Sequence, residues 1–395
     1  MQLTFDADVE EFRAEFAAFL DANLPDAAVT GERPRSSSDI PEWARSWQRL
    51  LFDSGWLLPG NPPEFGGRNA TLLQQYVYLE ELSRHRIYQS FNPQGVGIIA
   101  ASLLSFGTPE QKRRWAVPIL RAEMTASLGM SEPGAGSDLA SLKTRAVLSS
   151  DSEGDHFVVN GQKVWTSGAH HADVLLTFVR TDPEAPKHKG ISALLIPTDT
   201  PGVVRRPFAS VSDIEDVDFN EVFFTDARVP AENLVGELNA GWRVATGSLG
   251  HERAMLWLDY ADMLHALSAE SSPSGPVQRD RYATLVMDCH ALRLMGSATL
   301  AKAARGEEDV PAQSVLKLLG SEAMQRACED ALNAKGGDGL VLRGVTAPFA
   351  PLNLDSHYGS WFDRYTRTFA ATIAGGTSEI QRNIIAERVL GLPRG

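Results

Sequence analysis

Four stretches of this chain carry residue types that a plain scaffold does not need. In residues 128–142, Ser131, Gly134, Ala135, Gly136, Ser137 and Asp138 crowd small residues and hydroxyls together. Glycines there let backbone N–H groups come close to something bulky and anionic. No Lys comes after them, as a G-x-x-x-x-G-K-[ST] loop requires, and the next residues read as strands rather than a helix, so the two commonest phosphate motifs are excluded. Residues 163–168 read Lys-Val-Trp-Thr-Ser-Gly at the end of an expected strand. An indole at Trp165 can pack on a planar ligand, and the hydroxyls of Thr166 and Ser167 can bond its edge. Residues 335–339 (Lys-Gly-Gly-Asp-Gly) link two helices. In residues 373–381, Gly375 and Gly376 precede Thr377, Ser378 and a helix, an N-terminus open to an anion. Taken singly, each stretch also reads as a turn, a packed Trp or a capped helix.

The elements that must position them obey the hydrophobic period. Residues 1–122 read as helices, with a stripe at Val9, Phe12, Phe16 and Leu20. Pro41 opens a second helix, residues 71–86 and 95–106 form others, and Thr108 with Gln111 makes a capping-box pattern. From residue 123 the period changes. Residues 156–165 are β-branched and broken by Asn160-Gly161, a hairpin signal. Short apolar runs at 174–179, 191–196, 203–207 and 221–224 complete a β insert, a small barrel or sandwich, to residue 239. Helices return over 240–395, beginning with one long helix at 242–267. The expectation is a mainly α chain with a β insert.

The 395 residues allow two or three domains. A net charge of −13 and the lack of a basic stripe argue against a nucleic-acid partner. Cys289 and Cys328 lie in helical apolar patterns and read as buried thiols in a reducing, cytoplasmic setting. No signal peptide, membrane span or metal is expected.

Together the four stretches resemble the acyl-CoA dehydrogenase family of flavoenzymes over nearly the whole chain. Ser-Glu-Pro-Gly-Ala-Gly-Ser-Asp from Ser131 looks like its first signature, Asn160-Gly161-Gln162-Lys163 with Trp165-Thr166-Ser167 like its flavin-edge strand, and Gly376-Thr377-Ser378-Glu379-Ile380-Gln381-Arg382 like its second signature. The helix–β–helix order agrees with the family's three domains, the last a four-helix bundle. The resemblance implies FAD. Met130, Ser131, Gly136 and Ser137 would contact its isoalloxazine and phosphates, and Trp165 would lie against the flavin. Thr166 or Ser167 would bond its reactive edge; Asn333, Gly336 and Gly337 would line the adenine end, and Thr377 and Glu379 would receive the other end. It also implies an acyl-CoA substrate, contacted by Ser137, Arg253 and Gly375, and an electron-transfer flavoprotein as acceptor.

The family's reaction removes the α-proton of a saturated thioester with a carboxylate while the β-hydride goes to flavin N5. Many members carry that carboxylate directly before the second signature, where this chain has Gly375. Another branch, which includes isovaleryl-CoA dehydrogenase, places it on the long helix after the β domain, and this chain has His251-Glu252-Arg253 there. Glu252 is therefore the expected base. A second departure lies at residues 278–283, where the usual Arg-x-x-Phe-Gly contact to a neighbour's FAD is missing and Arg279 or Arg281 could replace it. Similarity to heteromeric bacterial sterol side-chain dehydrogenases leaves a homotetramer or a hetero-oligomer open, and with it a non-catalytic partner subunit. A flavin oxidase or monooxygenase on the same scaffold is the remaining alternative.

Overall fold

The computed structural model describes residues 5–26, 36–85, 87–152, 154–209, 211, 217–253, 255–270, 273–307, 310–340 and 361–393. The chain begins with α1 (Ala7–Asn23), α2 (Glu42–Asp53) and α3 (Leu72–Arg84). The α1 stripe Val9, Phe12, Phe16 and Leu20 is buried, as its spacing requires. Thr71 and Thr108 both close capping boxes, with Gln74 and Gln111, satisfying helix amides that have no intrahelical partner. A π-helical turn, Gly95–Ala100, runs into α4 (Ala101–Phe106); a second, Lys112–Ala116, joins α5 (Pro109–Gln111) to α6 (Val117–Leu120).

Eight strands come next: β1 (Ala126–Gly129), β2 (Arg145–Asp151), β3 (Gly154–Lys163), β4 (Val174–Arg180), β5 (Ile191–Pro197), β6 (Val203–Phe208), β7 (Phe219–Pro230) and β8 (Leu234–Val235). They form one mixed sheet in the order β6-β7-β3-β2-β4-β5-β8, with β1 added to β4. No pairing joins β6 to β8 among the described residues, so the sheet stays open rather than closing into a barrel. Both β1 and β2 run parallel to β4, β1 against Val174–Thr177 and β2 at Arg180. The chain between them, residues 130–144, therefore leaves the sheet and loops outward. β4 is buried on both faces, which explains its unbroken apolar run. Val174, Leu176 and Phe178 join the helical core, while Leu175 and Val179 join a second core with Phe157, Val159, Val222 and Phe224.

Two further expectations need correction. Asn160-Gly161 is a bulge inside one continuous strand, not a hairpin turn: β3 pairs with β7 on both sides of it. Gly161 takes φ +147°, and a Cβ there would lie 2.6 Å from Thr144 Cα. Asn160 Nδ2 donates to Asp226 Oδ1 and the Asp226 N–H donates back to Asn160 Oδ1, both at 2.9 Å, so the partner strand consumes the turn-forming amide. The helix expected over 242–267 is two, α7 (Gly241–Arg253) and α8 (Leu256–Glu270).

The remaining helices are α9 (Pro276–Ala303), α10 (Val310–Lys335), α11 (Trp361–Ile373) and α12 (Ser378–Ile384). α10 packs against α8, α9, α11 and α12. Gly296 lets the Trp257 indole lie against α9, where a Cβ would approach the ring to 2.1 Å. Cys289 and Cys328 are buried thiols outside any disulfide.

Candidate active site

β1 enters the site held on both edges. β4 pairs along one edge. On the other, Asn92 Oδ1 accepts the Ala126 N–H at 3.0 Å, Asn92 Nδ2 donates to Ala126 O at 3.0 Å, and Gln94 Oε1 accepts the Leu128 N–H at 3.0 Å. Past β1, residues 132–135 form a tight turn in which Glu132 and Ala135 exchange two backbone hydrogen bonds of 3.0 Å. Beyond it Gly136, Ser137 and Asp138 are exposed, and their N–H groups meet no protein acceptor among the described residues. A Cβ built on Gly134 or Gly136 finds nothing within 4 Å, so open space lies beside this turn. Asp138 accepts from the Ser141 hydroxyl and from Lys187 Nζ at 2.9 Å, which hold its carboxyl below the usual carboxylate range.

The 165–168 turn is built against this loop. Val164 N–H donates to Ser131 O at 2.9 Å, Ser127 Oγ donates to Ser167 O at 2.7 Å, and Gly168 N–H donates to Asp218 O at 2.7 Å. Trp165 adopts φ +61°, a left-handed conformation that costs an L-residue about 1–2 kcal/mol. Its indole remains 59% exposed, edge-on to Phe208 at 5.2 Å and to Phe219 at 5.5 Å. An exposed Trp held by two rings can pack its face on a planar group. The two adjacent hydroxyls separate clearly. Thr166 is fully buried and its Oγ1 has no partner, whereas Ser167 is half-buried and its hydroxyl meets no protein group among the described residues.

The second signature lies at the start of α12. Gly375 and Gly376 take φ +65° and +94°, so glycine suits both. Lys317 Nζ donates to Gly376 O at 2.7 Å. Thr377 Oγ1 accepts the Ile380 N–H at 3.2 Å as a cap and keeps its own hydrogen to donate, while Ser378 Oγ is buried and meets no partner among the described residues. Glu379 pairs with Arg382, itself bound to Glu322 at 2.6 Å. The link to the Trp165 cluster is Arg367 on α11, whose guanidinium lies 5.9 Å from the Phe219 ring. Asn333, Gly336 and Gly337 sit exposed at the end of α10. Glu252 and Arg253 occupy the last turn of α7, before the break that precedes α8; their side chains lie outside the described residues. Sequence reasoning missed Asn92, Gln94, Phe208, Phe219 and Asp218, none of which stands in a motif; only their placement shows their role.

Three acyl-CoA dehydrogenase family models match in order: the N-terminal domain at residues 6–123, the middle domain at 127–227 and the C-terminal domain at 239–390. Acyl-CoA dehydrogenase IpdE1 of Mycobacterium tuberculosis is 37% identical over 98% of both chains. The chain belongs to the acyl-CoA dehydrogenase family. The rat mitochondrial short-chain specific acyl-CoA dehydrogenase is 29% identical over 87% of this chain and 82% of its own. Among solved structures, the Tcur3481-Tcur3483 steroid ACAD superposes with a TM-score of 0.78 at 30% identity over all of both chains, and the ChsE4-ChsE5 complex of Mycobacterium tuberculosis with 0.75 at 28%, again over both whole chains. Acyl-CoA dehydrogenases are FAD-dependent oxidoreductases of lipid metabolism. The residues present fit that cofactor: unpaired amides at Gly136 and Ser137 suit a phosphate, the exposed Trp165 suits a ring system, and the Ser167 hydroxyl stands beside it. Among the described residues no helix is long and apolar enough to cross a membrane.

Proposed function

We propose that this chain oxidises a saturated acyl-CoA to the trans-2-enoyl-CoA, with Glu252 as the base that takes the α-proton. The carrying observation is the meeting of the 130–137 loop with the 165–168 turn around an exposed, strained Trp165. Met130, Ser131, Gly136, Ser137, Trp165 and Ser167 would hold the flavin half of FAD; Asn333, Gly336, Gly337, Thr377 and Glu379 would hold the remainder. When bound, FAD supplies the acceptor for the electrons and hydrogen leaving the β-carbon. The chain's own work is to orient the thioester through Ser137, Arg253 and Gly375, to exclude water, and to hold a carboxylate beside the α-carbon. Between the two hydroxyls of the turn, exposure favours Ser167 over Thr166 as the donor to the flavin edge. Ser167→Ala is expected to bind FAD yet lower kcat about tenfold or more, as loss of one charge-stabilising donor does. Stopped-flow flavin reduction reads this; an unchanged rate removes Ser167 from the site.

The substrate class is proposed from relatives named as steroid dehydrogenases: a bulky, polycyclic acyl-CoA. Anaerobic titration of the FAD-loaded chain with straight, branched and steroid acyl-CoAs, watching the flavin absorbance, tests the reaction and the substrate together. Bleaching by a steroid thioester is the expected result. Retained yellow colour against the whole panel overturns the reading.

One observation favours a second reading, a chain that shares its flavin site with a related subunit. Arg281 on α9 is engaged by Asp330 at 2.7 Å, so of the two arginines near the missing Arg-x-x-Phe-Gly only Arg279 lacks a protein partner among the described residues. Two structural neighbours carry paired names, and one is a complex. The bundle also exposes Met287, Leu294, Phe369 and Ile373, apolar surface suited to another subunit. A chain purified alone that keeps stoichiometric FAD and bleaches excludes the non-catalytic subunit.

A further inference from the structure

We infer that Glu132 and Lys163 act as a positioning pair, setting the spacing between the 130–137 loop and the Trp165–Ser167 turn; this rests on reading those two segments as the flavin site. Lys163 is the last residue of β3, and Glu132 opens the tight turn of the loop. Both are buried, Lys163 completely. Lys163 Nζ donates to Glu132 Oε1 at 2.8 Å and to Met130 O at 3.1 Å. Glu132 also accepts the Thr144 N–H on Oε1 at 2.8 Å and the Lys143 N–H on Oε2 at 2.6 Å. One residue beyond each partner, Ser131 O accepts the Val164 N–H at 2.9 Å. The pair thus fixes three segments to one another: the start of the loop, its end at residues 143–144, and the strand that delivers Trp165.

Stability alone does not call for charges here. Two buried ions lose hydration worth several kcal/mol each, and a well-packed apolar pair is often as stable or more so. What an apolar pair cannot do is fix direction. The ammonium aims at one carboxylate oxygen and one carbonyl, and the carboxylate receives two amides, so the loop is held at a set distance and angle. Ser131 and Trp165, each within two residues of the pair, inherit that geometry. A displacement of about 1 Å at a reacting site costs on the order of a hundredfold.

The electrostatics give the pair a titration of its own. Burial pushes the Lys163 ammonium down to about 8, against the attraction of Glu132, and Arg180 on β4 adds a second cation that pushes the same way. Burial opposes ionisation of Glu132 as well, but Lys163 and the two amides outweigh it and hold its carboxyl below the ordinary range. Above pH 8 Lys163 becomes neutral and leaves the Glu132 carboxylate without its cation. If the loaded site needs the charged pair, FAD affinity is full below that pH and falls as pH rises through it.

The test uses the full chain and measures FAD affinity from flavin fluorescence quenching and fold stability from thermal melting of the FAD-free protein. Glu132→Gln with Lys163→Met removes both charges and leaves one acceptor for the amides. The double variant is expected to stay folded but to melt a few degrees lower, because one amide and Met130 O lose their partners, and to bind FAD on the order of tenfold more weakly, with an altered visible spectrum. Wild-type affinity and spectrum in a folded double variant would overturn the inference. Should the double variant not fold, Glu132→Gln alone decides: FAD affinity lowered in a folded chain supports the pair, and wild-type affinity and spectrum reject it. A wild-type chain that binds no FAD at any pH rejects the flavin-site reading and this inference with it, an outcome distinct from loss in the variant alone.

Discussion

Glu252→Gln is expected to abolish bleaching by an acyl-CoA while the protein stays yellow. The α C–H of a thioester is a very weak acid, and a positioned general base accelerates its removal by about 10²–10⁴-fold. Gln keeps the shape and the hydrogen-bonding reach of Glu but cannot take the proton at neutral pH. The usual alternative position offers nothing to replace it. Gly375 has no side chain, and its φ of +65° would strain one. The expected result is a fall in kcat by that factor or more with FAD content unchanged, measured by single-turnover flavin reduction. Full activity in the variant refutes the assignment. Loss of FAD as well would show a structural fault instead.

Gly168→Val is expected to abolish cofactor uptake. Gly168 takes φ +68°, and a Cβ there would lie 2.5 Å from Ser38 Oγ and 2.7 Å from Ser37 Oγ. The Ser36–Ser38 segment cannot easily retreat. Ser37 donates through its N–H and its Oγ to Asp218 Oδ1 at 2.8 and 3.0 Å, and Asn92 Nδ2 donates to Ser37 O at 2.6 Å. The strained backbone and the collision together cost roughly 2–5 kcal/mol, and the turn bearing Trp165 must move to relieve it. A bound cofactor raises the melting temperature by mass action. That rise, clear in the wild type, is expected to vanish in Gly168→Val. Gly136→Ala is the control: its Cβ would meet nothing within 4 Å, so the FAD-free melting temperature should hold. An unaltered FAD-induced shift in Gly168→Val would show that the turn does not shape the site.

The two variants separate what motifs can and cannot reveal. The order of helices, sheet and helices was legible because burial imposes its period on the residues themselves. Val9, Phe12, Phe16 and Leu20 could line one face of a helix and little else. The cap at Thr108 was legible because its partner, Gln111, stands three residues away. Asn160-Gly161 misled because the deciding group, Asp226, lies on another strand. The break after Arg253 was invisible because no Gly or Pro marks it and the apolar pattern runs on into Leu258 and Ala261.

Residue type determined the chemistry this chain can perform: small residues that let backbone amides come close to a ligand, one Trp followed by two hydroxyls, and a missing carboxylate before Gly376. These are local properties, present in any conformation. The tertiary structure decided which of them stand exposed and which are taken up by protein partners. It buried Thr166 and left Ser167 accessible, turned Lys163 inward onto Glu132, and set Phe208 and Phe219 behind Trp165. The physical reason is that exposure and hydrogen-bond partnership are properties of the surroundings. Those surroundings come from strands and loops that are distant along the chain.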